Sequence, residues 1–284
     1  MEPVLRTDKV VKRYANHTAL DKVSISVPPQ SVFGLLGPNG AGKTSLIRII
    51  NQITGPDYGD IFMNGEPLKE EHVGLIGYLP EERGLYKKMK VGEQALYLAQ
   101  LKGMKKAEAK RSLEAWFEKF EMTTWWNKKI EELSKGMAQK VQFITTVMHR
   151  PKLLILDEPF SGFDPINTNP IKGEILTMRD EGATVILSTH NMGSVEEICD
   201  NIALINHARV VLSGSVKEIR ASYRSSTYDI AFEGNLLAFT NALWTSCELM
   251  DKETIEGETH RVTIKLLGQT TLNNVLEAVL PHAQ

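Results

Sequence analysis

The sequence has little that could hold a chain together from outside its own core. It contains two cysteines, Cys199 and Cys247, far apart and in no C-x-x-C pair, which argues against a disulfide framework and a structural zinc site. Both are expected as small buried hydrophobes. No run of about 18 consecutive apolar residues, the length that crosses a bilayer, occurs, and residues 1–8 carry no apolar stretch of signal-peptide type. The expectation is a cytoplasmic protein; if it works at a membrane, another polypeptide supplies the spanning helices. A basic excess is also missing: 33 Lys and Arg stand against 35 Asp and Glu, a net charge of −2, so nucleic acid is not expected as the main partner. With 12 prolines, no repeat and no low-complexity tract, the disordered and solenoid classes fall away.

What remains is an ordinary globular composition, 42% hydrophobic and 24% charged over 284 residues, room for one large domain and a small accessory unit. Residues 5–11, 23–27 and 32–36 read as short strands broken at Pro28-Pro29. The last runs into a glycine cluster at 37–42, after which 44–51 has a helical pattern. From about 88 to 150 the chain is helical, with apolar residues at three- and four-residue spacing over 93–101, 107–120 and 136–148. Strand-like runs return at 153–156 and 184–187 around a helix at 171–180, a βαβ pattern that implies a parallel sheet covered by helices. A Ser-, Gly- and Arg-rich stretch places a boundary near residue 220. Beyond it, 228–232, 236–243, 247–251, 261–266 and 271–279 read as strand, helix, strand, strand, helix, an α+β order resembling a ferredoxin-like module without its final strand.

Gly37-Pro38-Asn39-Gly40-Ala41-Gly42-Lys43-Thr44 fits G-x-x-x-x-G-K-[ST], the Walker A phosphate-binding loop, with Ser45 following. Glycine lets backbone N–H groups turn inward around phosphate oxygens, the next helix presents its positive end, Lys43 reaches the β- and γ-phosphates, and Thr44 offers a hydroxyl to Mg2+. Leu153-Leu154-Ile155-Leu156-Asp157-Glu158 is an apolar strand ending in two carboxylates, the Walker B pattern. Asp157 is expected on the Mg2+ side. Glu158 points elsewhere and is expected to take the proton of the water that attacks the γ-phosphate.

Leu133-Ser134-Lys135-Gly136-Met137, just before a helix, resembles the signature loop of ATP-binding cassette (ABC) ATPases. The resemblance covers residues 1 to about 220, in the family's motif order, and implies an α/β P-loop NTPase core with a β-rich N-terminal region and a helical insert. It implies that Tyr14 stacks on adenine, that Asp164 lies in the loop lining the dimer seam, and that His190 contacts the γ-phosphate. It further implies a head-to-tail homodimer or paired cassette, with each ATP between Lys43 of one subunit and Ser134, Lys135, Gly136 and Met137 of the other. ATP hydrolysis would drive a separate transmembrane permease, with this subunit peripheral on the inner face of the membrane.

The chain departs from the family pattern at Glu81, where a glutamine is usual, and at Lys135 and Met137. A carboxylate at 81 implies either a direct Mg2+ ligand or a rival to Glu158 as base. Both departures resemble a bacterial subgroup of exporter cassettes of sodium-extrusion type that carry a C-terminal extension, and the permease-coupling loop is expected around 82–90. The alternative, a soluble ABC switch in translation or DNA repair, usually brings two fused cassettes or a long coiled coil, and neither is present. Lys102, Lys105, Lys106, Lys110 and Arg111 are expected as a solvated face, Trp125 and Trp126 as packing anchors, and the histidines other than His190 as surface or structural groups.

Overall fold

A computed structural model describes residues 2–82, 84–161, 165–222, 227–256, 259–268 and 270–282. The chain divides into two compact units, Met1–Glu218 and Ile219–Gln284.

The first unit opens on β1 (Leu5–Tyr14), β2 (His17–Val23) and β3 (Ser26–Val27), followed by β4 (Val32–Leu36), α1 (Lys43–Ile50), β5 (Tyr58–Met63), β6 (Glu66–Pro67) and β7 (Ile76–Leu79). Three helices come next, α2 (Val91–Leu101), α3 (Lys106–Lys119) and α4 (Lys135–Val147). The chain then returns as β8 (Leu153–Asp157), α5 (Pro165–Asp180), β9 (Thr184–Thr189), α6 (Met192–Ile198), β10 (Asn201–Asn206), β11 (Arg209–Ser215) and α7 (Val216–Ser222). Strands β2-β1-β5-β6, with β3 also on β1, form an antiparallel sheet. The second sheet has the order β11-β10-β4-β9-β8-β7, parallel except at β11. Every residue of β4, β8 and β9 is buried, which is why these strands read as unbroken apolar runs: a parallel strand covered on both faces has no polar side to alternate with. Phe33, Leu46, Ile47, Ile50, Ile155 and Ile186 belong to one core cluster beneath them.

Register fixes where the chemistry emerges. Leu36 pairs with Thr189 and Asp157 pairs with Ser188, so the glycine loop, His190 and Glu158 leave neighbouring strands at the same sheet edge, where open parallel sheets bind their ligands.

The structure adds strands that the patterning did not give, β2, β5, β7, β10 and β11. The run from residue 5 extends to Tyr14 and folds back through a tight turn at Ala15, φ +44°. Helix α5 starts six residues earlier than its expected start at 171, because Pro170 lies inside it and reads as a breaker in sequence. Trp126 acts as an anchor: its ring meets Phe117 edge-on at 5.1 Å and lies so close to Gly92 that a Cβ there would sit 2.3 Å away. Lys102 is a correction to the solvated-face reading. Its Nζ donates to the Ile76 carbonyl at 3.0 Å, and burial lowers its pKa.

The second unit contains β12 (Thr227–Glu233), α8 (Leu236–Leu243), β13 (Cys247–Glu256), β14 (Thr259–Leu266) and α9 (Leu272–Val279). Its antiparallel sheet has the order β12-β14-β13. Phe232 stacks on Phe239 with ring centres 3.7 Å apart, amid Leu243, Cys247, Val262, Ile264, Val275 and Val279. The side chains of Asn235 and Thr271 cap α8 and α9 by accepting from backbone N–H groups, the economy expected of polar residues at helix starts. Cys199 and Cys247 are free and buried; burial pushes the Cys199 thiol up to about 12.

Candidate nucleotide-binding site

The loop between β4 and α1 has its shape forced by neighbouring backbone. At Gly37, φ +146°, a Cβ would lie 2.1 Å from the Ile205 carbonyl, and at Gly42, φ +115°, 2.2 Å from that of Ala19. No side chain fits either position. Gly42 caps α1, so the first free N–H groups of the helix face the mouth of the loop. Lys43 is buried, and its ammonium donates to the carbonyls of Gly37 at 2.7 Å and Pro38 at 3.2 Å. The charge is thus held inside the turn.

Beside the loop lies a cleft of about 320 Å³ walled by Tyr14, His17, Ala19, Asn39, Gly40, Gly42, Lys43, Thr44, Ser45, Glu81, Asp157 and Glu158. Ten of the twelve wall residues are expected site residues, all but His17 and Ala19; Gly37, Pro38 and Ala41 shape the turn without walling the cleft, and Ala41 packs into the core. His17 was missed. It reaches the cleft because β1 and β2 pair Tyr14 with His17 at their turn, and a lone histidine in an unrecognised hairpin gives no sequence signal. The hairpin is pinned by Asp57, which accepts from the Arg13 backbone N–H at 2.6 Å and from Lys12 Nζ at 3.1 Å. Those two contacts, the backbone bond foremost, hold its carboxyl below the usual range. Lys12 Nζ also sits 5.5 Å from the ring centre of Tyr14, which is 43% exposed and leaves a π-face open.

On the far wall the Thr44 hydroxyl donates to Asp157 Oδ2 at 3.3 Å. Asp157 is buried, and loss of hydration raises its pKa while the Thr44 hydroxyl and the nearby Lys43 charge oppose the rise. Tyr78, on β7, is pushed up to about 12 by burial first and by the Asp157 charge second, with Glu81 adding to it. Glu158 has a left-handed backbone, φ +48°, a conformation that costs a non-glycine residue about 1 kcal/mol or more and persists where surrounding structure enforces it. Its backbone N–H donates to Ser188 O at 2.9 Å, its Oε2 accepts from the Thr189 hydroxyl at 3.3 Å, and its Oε1 lies 2.7 Å from His190 Nδ1. Glu158 is 9% exposed and His190 65%, so the pair bridges interior and surface.

The donor set fits Mg2+. This ion commonly takes one or two protein carboxylates and completes its shell with phosphate oxygens and water; here one hydroxyl and one carboxylate already converge, and Glu81 is exposed on the same cleft. Ser134 caps α4, its Oγ accepting from Met137 N at 3.3 Å. Ser134, Lys135, Gly136 and Met137 do not wall this cleft. Asp164 lies outside the described residues.

Comparison with known proteins agrees with this geometry. A family model, ABC transporter, matches residues 20–161. YhaQ of Bacillus subtilis (strain 168), called an uncharacterized ABC transporter ATP-binding protein, is 45% identical over 82% of this chain and 78% of its own length. The Nod factor export ATP-binding protein I of Paraburkholderia xenovorans (strain LB400) is 30% identical over 91% of this chain and 85% of its own. A solved ATP-binding subunit of an ABC transporter superposes with a TM-score of 0.72 at 29% identity, covering 78% of this chain and 93% of that one. The chain belongs to the ABC transporter ATP-binding family. It is the nucleotide-binding, ATP-hydrolysing subunit of a transporter, a class that works with membrane permeases, and the soluble-switch alternative has no support among these relatives. Among the described residues no helix is long and apolar enough to cross a membrane.

Proposed function

We propose that the chain closes on ATP as a head-to-tail homodimer and that hydrolysis at the cleft reopens it to drive export through a separate permease. Tyr14 offers its open ring face to adenine, the 37–45 loop with Lys43 takes the phosphates, and Thr44, Asp157 and Glu81 would hold Mg2+, which when bound would neutralise phosphate charge. Glu158 takes a proton from the attacking water as the water oxygen bonds to the γ-phosphorus and the bond to the β-phosphate bridging oxygen breaks, releasing ADP. Asp157, turned toward Thr44, is not free for that role. One observation carries the assignment: the nearly buried Glu158 carboxylate is held from two sides, by Thr189 and His190, at the cleft wall beside Asp157.

The second half of each site would come from Ser134 to Met137 of the other subunit, with Asp164 at the seam. The export direction is supported by what relatives of this length are named for. A groove of about 690 Å³ lined by Glu70, Val73, Leu85, Leu98, Leu101 and Lys102 adjoins the loop carrying Glu81; it is mostly apolar with one charge of each sign, suited to a cytoplasmic segment of the permease, and would place the protein on the inner face of the membrane.

The test is Glu158→Gln. We expect it to keep ATP binding while lowering turnover by ~10²–10⁴, the span for a lost acid–base group, and to run on size-exclusion chromatography as a dimer with ATP and a monomer without. Retained hydrolysis would exclude Glu158 as base, and a monomer under saturating ATP would exclude the closed dimer.

A further inference from the structure

Helix α4 starts at the signature loop and carries two glutamines three residues apart, which share a face. Gln139 Nε2 donates to the Ser161 carbonyl at 2.7 Å, in the segment after Glu158. Gln142 Nε2 donates to Pro80 O at 3.3 Å and Glu82 O at 3.4 Å, the two carbonyls that flank Glu81. Gln142 is only 6% exposed. A buried primary amide is costly unless its polar atoms are paired, and an apolar side chain would fill the same volume without that cost.

The loop around Glu81 needs an outside support. Strand β7 ends at Leu79, so its ladder bonds stop short of Pro80, and Glu81 is itself exposed; packing of its own side chain cannot set where the carboxylate points. Helix α4 can supply the support. Val141, Phe143, Ile144 and Val147 are buried around Gln142, and the Gln142 carbonyl accepts the hydroxyls of Thr145 at 2.9 Å and Thr146 at 2.8 Å.

We propose that Gln142 is the positioning residue for Glu81: its amide grips the peptide carbonyls on either side and thereby holds the Glu81 carboxylate on the cleft shared with Thr44 and Asp157. Gln142 touches neither nucleotide nor metal and acts through the loop. The inference rests on the reading of Glu81 as part of the Mg2+ site.

Gln142→Met keeps length, volume and helix propensity while removing the amide, and Gln139→Met is the matched control on the same helix. In nucleotide-free protein, Gln142→Met should speed amide hydrogen exchange over residues 80–88 by ~10-fold, the scale of one or two lost hydrogen bonds. Exchange over β8 should stay at the parent rate, and Gln139→Met should leave 80–88 unchanged. The Mg2+ concentration for half-maximal hydrolysis should rise by ~2–3-fold, no more than on losing the Glu81 carboxylate itself, with kcat recovered at saturating Mg2+, and Gln142→Met should add nothing to this shift in a Glu81→Gln background. Unchanged exchange at 80–88, or an equal Mg2+ shift in both backgrounds, overturns the proposal. If Glu81→Gln alone leaves the Mg2+ curve in place, the metal reading of Glu81 falls, and the exchange data alone then decide whether Gln142 anchors the loop. Gln142→Asn, one methylene short, gives a second variant with an intermediate effect expected.

Discussion

The two loops that we propose bind phosphate are built differently. The loop at 37–42 is enforced from within: two glycines lie against carbonyls of Ile205 and Ala19, and the Lys43 ammonium is already held by the turn. The loop at 134–137 is a helix start with Ser134 and Lys135 exposed and the Ser134 hydroxyl serving its own helix. The first can bind in one chain. The second has most of its contacts still to make, which is what a surface completed by another subunit requires.

That contrast can be broken by mutation. Lys43→Ala removes a charge-assisted phosphate contact and should weaken ATP binding to the monomer by ~10–100-fold, measured by titration calorimetry; unchanged affinity would mean that the loop backbone alone binds phosphate. Ser134→Arg in the Glu158→Gln background should leave monomer affinity within ~2-fold, since the residue does not line the cleft of its own chain, yet abolish the ATP-dependent dimer on size-exclusion chromatography. Equal loss of monomer affinity in the two variants would erase the distinction between the loops. Glu81→Gln is subtler: the carboxylate charge disappears from an exposed edge of the cleft, and the half-maximal Mg2+ concentration should rise by a few-fold, about 0.5–1 kcal/mol, with metal-free nucleotide binding unchanged.

The same difference explains what could be read from the sequence. The 37–44 loop, the 153–158 strand and the Ser134 cap are contiguous segments whose physics is local, and the structure places each on the element that its neighbours implied. The strand, helix, strand, strand, helix order expected after residue 220 matches β12, α8, β13, β14 and α9. His17 was not, because its place depends on a hairpin turn at Ala15 that has no glycine to announce it. Gln142 was not, because a single amide in an amphipathic helix becomes informative only when the carbonyls of a loop 60 residues away are seen beside it. The exit of His190 and Glu158 from neighbouring strands at one sheet edge depends on strand order, and patterning along one chain does not encode which parallel strands become neighbours.

Helix α4 offers a last and smaller way to sharpen the comparison, since its start is exposed and His149, two residues past its end, is half-buried with its ring nitrogens covered. Both ring nitrogens of His149 are buried, and burial first, with the Lys102 charge second, lowers its pKa to about 4. The folded state therefore resists a proton that the unfolded chain accepts near the ordinary value of about 6.5. With the unfolded state binding more protons across that interval, the contribution of His149 to stability is fully present above pH ~6.5 and is lost as pH falls toward ~4. His149→Met has no such proton to exclude, so its Tm should fall less than that of the parent between pH 7 and pH 5, by a margin of ~4–7 °C for a unit of this size. Measured by differential scanning calorimetry, parallel pH profiles of parent and variant would show that the ring protonates freely and that this end of α4 is as open to water as its signature end.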